Sequence, residues 1–360
     1  MVIQEKASVG GFAACGRVAF EDPQEVCARI SAHFEEHGLE AVVQEDGRTL
    51  FEFADNMILL GHDTKAVLFE VTAATQNGLL QLRVGAARQV AEIDPAAVDR
   101  LEWDDGGAQE GVPENFRELR LTKRQRLSER LIRLTLEGHD LDIFTHTGLH
   151  VRLLMQSNPS RTPVWPVMRS SGVIEMPKDA DSLYTRVYTI RAVRPDMNEV
   201  DIDFVIHAAG VATEWAVRAP VGAVVGITGP GGGFGPPPCD WLLMGGDLTA
   251  TPAIARVLEM LPEDARGHVF LTVPDDMAEP VFAACPARIC VQRLSPDADA
   301  GVLVNAMQLV KVPDFDNVYG WFAGEFSQAQ AMRKYFKSTL GLKKRQQLSV
   351  AYWREGEAGQ

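Results

Sequence analysis

A chain of 360 residues with 46% hydrophobic and 23% charged side chains has the composition of an ordinary globular protein, long enough for about two or three domains with their own cores. Its 35 basic and 49 acidic side chains leave a formal net charge of −14, which argues against nucleic acid as the main partner because phosphate binding needs a basic stripe. The five cysteines (Cys15, Cys27, Cys239, Cys285 and Cys290) form no C-x-x-C pair, so neither a disulfide framework nor a zinc site is expected.

The start of the chain lacks a charged segment followed by a long apolar core, so no signal peptide is predicted. No apolar run reaches the roughly 18 residues that a membrane span requires, and a cytoplasmic protein is expected. From Asp22 and Pro23 a helical pattern sets Val26, Ile30, His33 and Phe34 on one face and ends near Gly38. Strand-like runs follow at 39–44, 49–53, 57–60, 66–72 and 79–84, with Asp46-Gly47 and Asn77-Gly78 as hairpin turns. A last helix is expected at 94–101. Residues 1–105 therefore read as a small α+β domain without a catalytic constellation, with His33 a core histidine rather than a ligand. The turn formers of 106–116 read as a linker.

Residues 117–237 carry strand candidates at 118–124, 130–136, 150–155, 184–193, 200–207 and 223–228, which suit a six-stranded antiparallel β-barrel. The excursion 157–181, rich in Ser, Pro and Arg, is expected as a loop over a ligand site. Within the fourth strand, Arg186-Val187-Tyr188-Thr189-Ile190-Arg191 sets Arg186, Tyr188 and Ile190 on one face and Val187, Thr189 and Arg191 on the other. Guanidinium, phenol and hydroxyl together suit a flat, phosphorylated ligand: a charge for phosphate, an aromatic for a ring, a hydroxyl for a ring nitrogen. After the fifth strand comes His207-Ala208-Ala209-Gly210-Val211-Ala212-Thr213-Glu214-Trp215. Gly210 lets the backbone approach a ligand and Thr213 can cap a short helix, whose N-terminus suits a pyrophosphate. Gly229-Pro230-Gly231-Gly232 closes the barrel or simply turns the chain between domains.

In residues 238–360 apolar runs at 241–244, 269–273, 288–292, 318–322 and 348–352 alternate with helical segments at 252–261, 277–284, 301–310 and 327–340, predicting an α/β parallel-sheet domain. Ser327 with Gln330 forms a capping box and Gly341 a stop. The first strand-to-helix connection, 245–252, is where the phosphates of a dinucleotide sit in an open α/β sheet, although it is not G-x-G-x-x-G. Asp275 and Asp276 after the second strand would repel the extra phosphate of NADP, favouring NADH, or form a solvated turn.

The run Arg186–Arg191 resembles the flavin-binding R-x-Y-[ST] signature of the ferredoxin-reductase superfamily, and the trailing Arg191 resembles its siderophore-interacting branch. Residues 207–215 resemble that branch's H-x-x-G-x-[AT]-x-x-W element. Gly246-Asp247-Leu248-Thr249-Ala250-Thr251-Pro252 is similar to its G-D-x-T-A-x-P element, with Thr251 where Leu is usual; Gly324-Glu325 and Tyr352-Trp353-Arg354 complete the likeness over 117–356. Residues 1–105 loosely resemble a small domain of unknown function found alone or beside such proteins. The resemblance implies an FAD-dependent reductase that frees iron from ferric siderophores as Fe(II), with electrons from NADH, NADPH or reduced ferredoxin.

The resemblance also implies a site. Arg186 and the Gly210–Thr213 turn would hold the FAD phosphates, Tyr188 would pack on the isoalloxazine and Thr189 would lie near its reactive edge. His207, Ala212, Trp215, Gly246, Asp247, Thr249, Glu325 and Trp353 join the implied cofactor set. No resident metal site is expected, because iron stays on its chelator. An anionic ferric siderophore calls for a basic pocket, with Arg152, Arg191 and Arg354 as the substrate candidates, and Arg194, Lys343, Lys344 and Arg345 behind them. A general flavin-dependent NAD(P)H oxidoreductase and a non-catalytic siderophore-binding module are the alternatives.

Overall fold

The computed structural model describes residues 11–36, 39–53, 56–145, 148–207, 210–231, 235–277, 284–295 and 301–357. Gly38, Gly232, Ala208, Ala209 and most of the expected helix 277–284 lie outside them. The chain divides into two compact units: Met1–Phe116 with Ser160–Ser182, and Arg117–Pro159 with Leu183–Gln360.

The first unit is an α+β assembly. Strands β1 (Phe12–Ala19), β2 (Val42–Val43), β3 (Thr49–Phe53), β4 (Asn56–His62), β5 (Ala66–Ala73) and β6 (Glu102–Trp103) form one sheet in the order β2-β3-β4-β5-β1-β6. Its helices are α1 (Pro23–Glu36) and α2 (Gln76–Ile93). Strand β1, absent from the sequence reading, alternates exposed residues with buried Ala14, Gly16 and Val18 and pairs along its whole length with β5. The expected strand 79–84 is a correction: it lies inside α2, and Asn77-Gly78 is its first turn rather than a hairpin. Thr75 caps that turn, its Oγ1 accepting from the Gly78 N–H at 3.0 Å. Leu79, Leu82, Ala86 and Val90 then enter the core at helical spacing. Where a helix was expected over 94–101, only a short 3₁₀ turn, Val98–Arg100, forms.

Strands β7 (Phe116–Ser128), β8 (Leu131–Glu137), β9 (His150–Gln156), β10 (Val167–Met168), β11 (Ile174–Glu175), β12 (Leu183–Arg194), β13 (Glu199–Val205) and β14 (Val224–Gly231) follow. Six of them close a barrel in the order β12-β13-β8-β7-β14-β9. Alternate residues point inward, and Leu121, Leu134, Leu153, Ile190, Ile202, Phe204 and Ile227 fill its core. The β10–β11 hairpin does not belong to the barrel. The expected loop over a ligand site is instead part of the first unit: Trp103 Nε1 donates to Ser171 O at 3.0 Å, and Met168 packs with Leu80 and Ala108. The supposed linker is bonded there too, with Ala108 N–H on Ser170 O at 3.0 Å.

After β13 the helix α3 (Val211–Arg218) crosses the barrel end. The rest of the second unit is a five-stranded sheet of β15 (Trp241–Gly246), β16 (Arg266–Thr272), β17 (Arg288–Leu294), β18 (Val318–Glu325) and β19 (Gln347–Trp353) with helices α4 (Thr251–Met260), α5 (Val302–Gln308) and α6 (Phe326–Lys334). Every pairing is parallel and the order is β17-β16-β15-β18-β19. The chain leaves β15 to one side and returns to the other, so the order reverses between β15 and β18, the place where open α/β sheets bind ligands. The expected Ser327–Gln330 box is replaced by Glu325, whose carboxylate accepts from the N–H groups of Ser327 at 2.5 Å and Gln328 at 3.3 Å.

Candidate active site

Strand β12 runs antiparallel to β9 with Arg186 opposite Leu153, Tyr188 opposite Val151 and Thr189 opposite His150. Alternation turns Tyr188 toward the barrel, where its ring lies 4.3 Å from Phe204, which in turn lies 6.3 Å from Trp215 of α3. Burial pushes the Tyr188 phenol up to about 12, so it stays neutral. Among the described residues the Arg186 guanidinium makes one hydrogen bond, from Nη1 to the neighbouring Thr185 O at 2.8 Å. A charged fork with donors to spare lies on the strand that carries the aromatic.

Helix α3 begins at Gly210 without any side-chain cap. A Cβ at Gly210 would meet the His207 ring at 2.5 Å, so any larger residue there would have to turn the exposed His207 ring aside. Thr213 does not cap the helix. It is the third residue of the first turn, is buried, and donates from Oγ1 to Val205 O at 3.3 Å. Ala212 is buried against the barrel. The opening N–H groups of α3 thus carry no side-chain partner, the condition for holding an anion.

Three residues from three strands meet one another. Thr189 Oγ1 lies 3.2 Å from His150 Nδ1, and the hydroxyl of Tyr352 on β19 lies 3.1 Å from His150 Nε2. The rings of His150 and Tyr352 meet edge to face at 5.4 Å. Burial, with the nearby Arg256 charge, pulls His150 down to about 4, and burial pushes the Tyr352 phenol up. Sequence reasoning missed His150 and gave Tyr352, although part of the closing Tyr352-Trp353-Arg354 run, no role. Each looked like an ordinary strand residue, and only the register of β9 with β12 brings the imidazole to Thr189.

The expected ligands of the C-terminal sheet are bonded to one another and to the framework. Asp247 Oδ1 accepts from Thr249 N at 2.8 Å and Thr249 Oγ1 at 2.5 Å, while Oδ2 accepts from Trp353 Nε1 at 2.7 Å. Gly246 is packed closed, since a Cβ there would meet Ala323 O at 2.7 Å. Burial opposes ionisation of Glu325, yet the donors of Ser327, Glu355 and Gln328 hold its carboxyl below the usual range. Trp353, fixed by Asp247, remains 42% exposed at the end of β19. Of the two aspartates after the second strand of the sheet, Asp276 accepts from the Glu129 N–H at 2.7 Å.

The arginines sort in the same way. Arg191 is 7% exposed and grips Glu259 of α4 with both terminal nitrogens, so it ties barrel to helix and is not a substrate contact. Arg194 is bonded to Glu199 and Asp201. Arg152 is exposed on the outer face of β9 opposite Val187, and Arg354 lies over the Phe326 ring at 3.7 Å with Nη1 on Glu357. Among the described residues no group of three or more His, Cys, Asp or Glu is placed to hold a metal ion. Arg186 and Tyr188 on one face of β12, Thr189 on the other and the uncapped start of α3 are the donors and the aromatic that a diphosphate joined to a flat ring would call for.

Residues 120–234 match the family model of the siderophore-interacting FAD-binding domain, and residues 239–356 match that of the siderophore-interacting protein. The ferric vibriobactin reductase ViuB of Vibrio cholerae is 31% identical over 257 residues, covering 66% of this chain and 89% of that protein. The siderophore-interacting protein SipS from Aeromonas hydrophila superposes with a TM-score of 0.58 at 28% identity, over 68% of this chain and 93% of SipS. A siderophore utilization protein from T. fusca gives 0.60 at 26% identity, over 70% of this chain and 98% of that one.

Proposed function

This chain belongs to the siderophore-interacting protein family, FAD-containing oxidoreductases of the ferredoxin-reductase fold, and on that premise we propose that it reduces ferric siderophores and releases Fe(II). The observation that carries the reading is that Arg186, Tyr188 and Thr189 share one strand of the barrel against which the uncapped helix α3 packs. Arg186 and the α3 N–H groups hold the diphosphate, Tyr188 lies against the ring system and Thr189 stands at its edge. FAD, when bound, takes two electrons together and passes them on singly. Hard oxygen donors favour Fe(III), so reduction loosens the chelate.

Arg152 and Arg354 are the exposed cations offered to an anionic chelate. The electron donor is NADH, NADPH or reduced ferredoxin. The preference for NADH rests on Asp275, since Asp276 is engaged by Glu129. Reduction takes place in the cytoplasm; no helix among the described residues is long and apolar enough to cross a membrane.

The test is direct. The purified protein should be yellow or rebind FAD, bleach anaerobically with one of these donors, and recolour on adding a ferric siderophore, with Fe(II) trapped by a ferrous chelator. Reduced protein that ferric siderophores do not reoxidise would overturn the proposal.

A further inference from the structure

We propose that Thr189, His150 and Tyr352 form a proton-exchange chain running from the ring end of the FAD site, across β12 and β9, to the C-terminal strand β19. The inference rests on the FAD-reductase reading and assigns roles to His150, outside the motifs that led to it, and to Tyr352, which those motifs contain without a role. Both ring nitrogens of His150 are engaged, Nδ1 by Thr189 Oγ1 at 3.2 Å and Nε2 by Tyr352 OH at 3.1 Å. A neutral imidazole has one N–H donor and one acceptor. The two bonds must therefore run in the same direction along the chain. Either Thr189 donates to Nδ1 while Nε2–H donates to Tyr352, or Tyr352 donates to Nε2 while Nδ1–H donates to Thr189. In the second state the Thr189 hydroxyl hydrogen is released toward a ring nitrogen; in the first, its oxygen presents lone pairs there. Thr189 is 5% exposed, so bulk water does not compete for its hydroxyl.

The chemistry needs such a path. Oxidation of one hydride donor with reduction of two Fe(III) to two Fe(II) leaves one proton to be shed. A proton arriving on Thr189 Oγ1 sends the hydroxyl proton to His150 Nδ1. The Nε2 proton passes to the Tyr352 oxygen, and the phenolic proton leaves to water beside the part-exposed ring. Each oxygen ends with the number of protons it began with, while Nδ1 has gained a proton and Nε2 has lost one, so the imidazole has changed tautomer. Passage in reverse restores it and supplies a proton when electrons arrive singly from a protein donor. No imidazolium is required at any point, which suits a histidine that burial and the neighbouring Arg256 keep neutral down to about pH 4. Thr189 is the catalytic residue of the set; His150 and Tyr352 are positioning and relay residues.

The test uses the full-length, FAD-loaded protein, photoreduced and mixed with ferricyanide in weak buffer containing a pH indicator. Tyr352→Phe removes only the terminal hydroxyl, and His150→Gln keeps a donor and an acceptor but cannot hand a proton from one side to the other. Proton release should slow about tenfold in the first variant and about a hundredfold in the second, with FAD affinity and visible spectrum unchanged for Tyr352→Phe. A readout without turnover comes from ¹⁵N-histidine NMR. The His150 tautomer should differ between oxidised and reduced wild-type protein and should not differ in Tyr352→Phe. Unchanged proton release in both variants, or a single His150 tautomer in both oxidation states, overturns the chain. Ferricyanide reoxidises the reduced protein whatever its natural acceptor, so failure here leaves the siderophore reading standing, and failure with ferric siderophores leaves the chain standing.

Discussion

Arg191 meets Glu259 fork to fork, Nη1 on Oε2 at 2.9 Å and Nη2 on Oε1 at 2.6 Å, joining barrel strand β12 to helix α4. The pair is largely shielded, with the two side chains 8% and 22% exposed. Removing one partner of a buried pair leaves the other charge in a poor solvent, at a cost of about 3–5 kcal/mol. Arg191→Ala should therefore lower the urea midpoint substantially at both low and high salt. A surface charge that merely attracts an anionic chelate would instead change an apparent KM at low salt and leave stability alone. An unaltered urea midpoint would return Arg191 to that class.

Arg186 lies five positions earlier in the same strand and, among the described residues, makes a single side-chain bond, to its neighbour's carbonyl. A charge-assisted hydrogen bond to phosphate contributes about 1.5–3 kcal/mol, or roughly ten- to a hundredfold in affinity. Arg186→Ala should weaken FAD binding by that factor while the melting temperature of the FAD-free protein stays put. Equal FAD affinity, measured by fluorescence quenching, would mean the diphosphate is held elsewhere.

The contrast between these two arginines marks how far the sequence could be read. All six barrel strands and all five strands of the parallel sheet stand where pattern and punctuation put them, the barrel strands through alternation and the central parallel strands, buried on both faces, through short continuous apolar runs. Leu79–Val84 misled because leucines and a valine after Asn-Gly look like a strand after a turn; Thr75 and the 3.6-residue burial decide for helix. Asp247 and Glu325 were legible as a pattern but not as roles. The partner of Asp247 is Trp353, far along the chain, and the Glu325 carboxylate caps α6. No local signal announces such a pairing. The same holds for His150, whose meaning lies in a register.

The insertion between β9 and β12 gives a third prediction. Gln156 pairs directly with Leu183, so the barrel closes without the intervening residues, and Ser160–Ser182 belongs to the first unit. Deleting 1–105 alone should preserve FAD binding but strip cover from Met168, which is 1% exposed and packs on Leu80. Poor solubility and a broad melt are expected. Deleting 1–116 and also replacing 157–182 with an Asn-Gly turn should restore a sharp melt with FAD affinity intact. Loss of FAD binding from the doubly shortened protein would show that the first unit helps to build the site.

His150 gives the last prediction, a signed dependence of stability on pH. Its ordinary value of 6.5 falls to about 4 in the folded protein, with burial the larger cause and the Arg256 charge the smaller. Above pH 6.5 folded and unfolded chains both carry neutral imidazole, and the residue contributes no slope. Between 6.5 and 4 the unfolded chain binds a proton that the folded chain refuses, so stability rises with pH across this window and is lost as pH falls through it. Over the whole window the loss amounts to about 3 kcal/mol. His150→Gln has no such proton to gain. Its stability measured in urea should fall less steeply than that of wild type from pH 6.5 to 4, by close to one proton in the linkage slope, even if its stability at pH 7 is lower. Parallel curves for the two proteins would mean that His150 titrates normally in the fold, and that Thr189 and Tyr352 hold an imidazole that gains charge as freely as one in water.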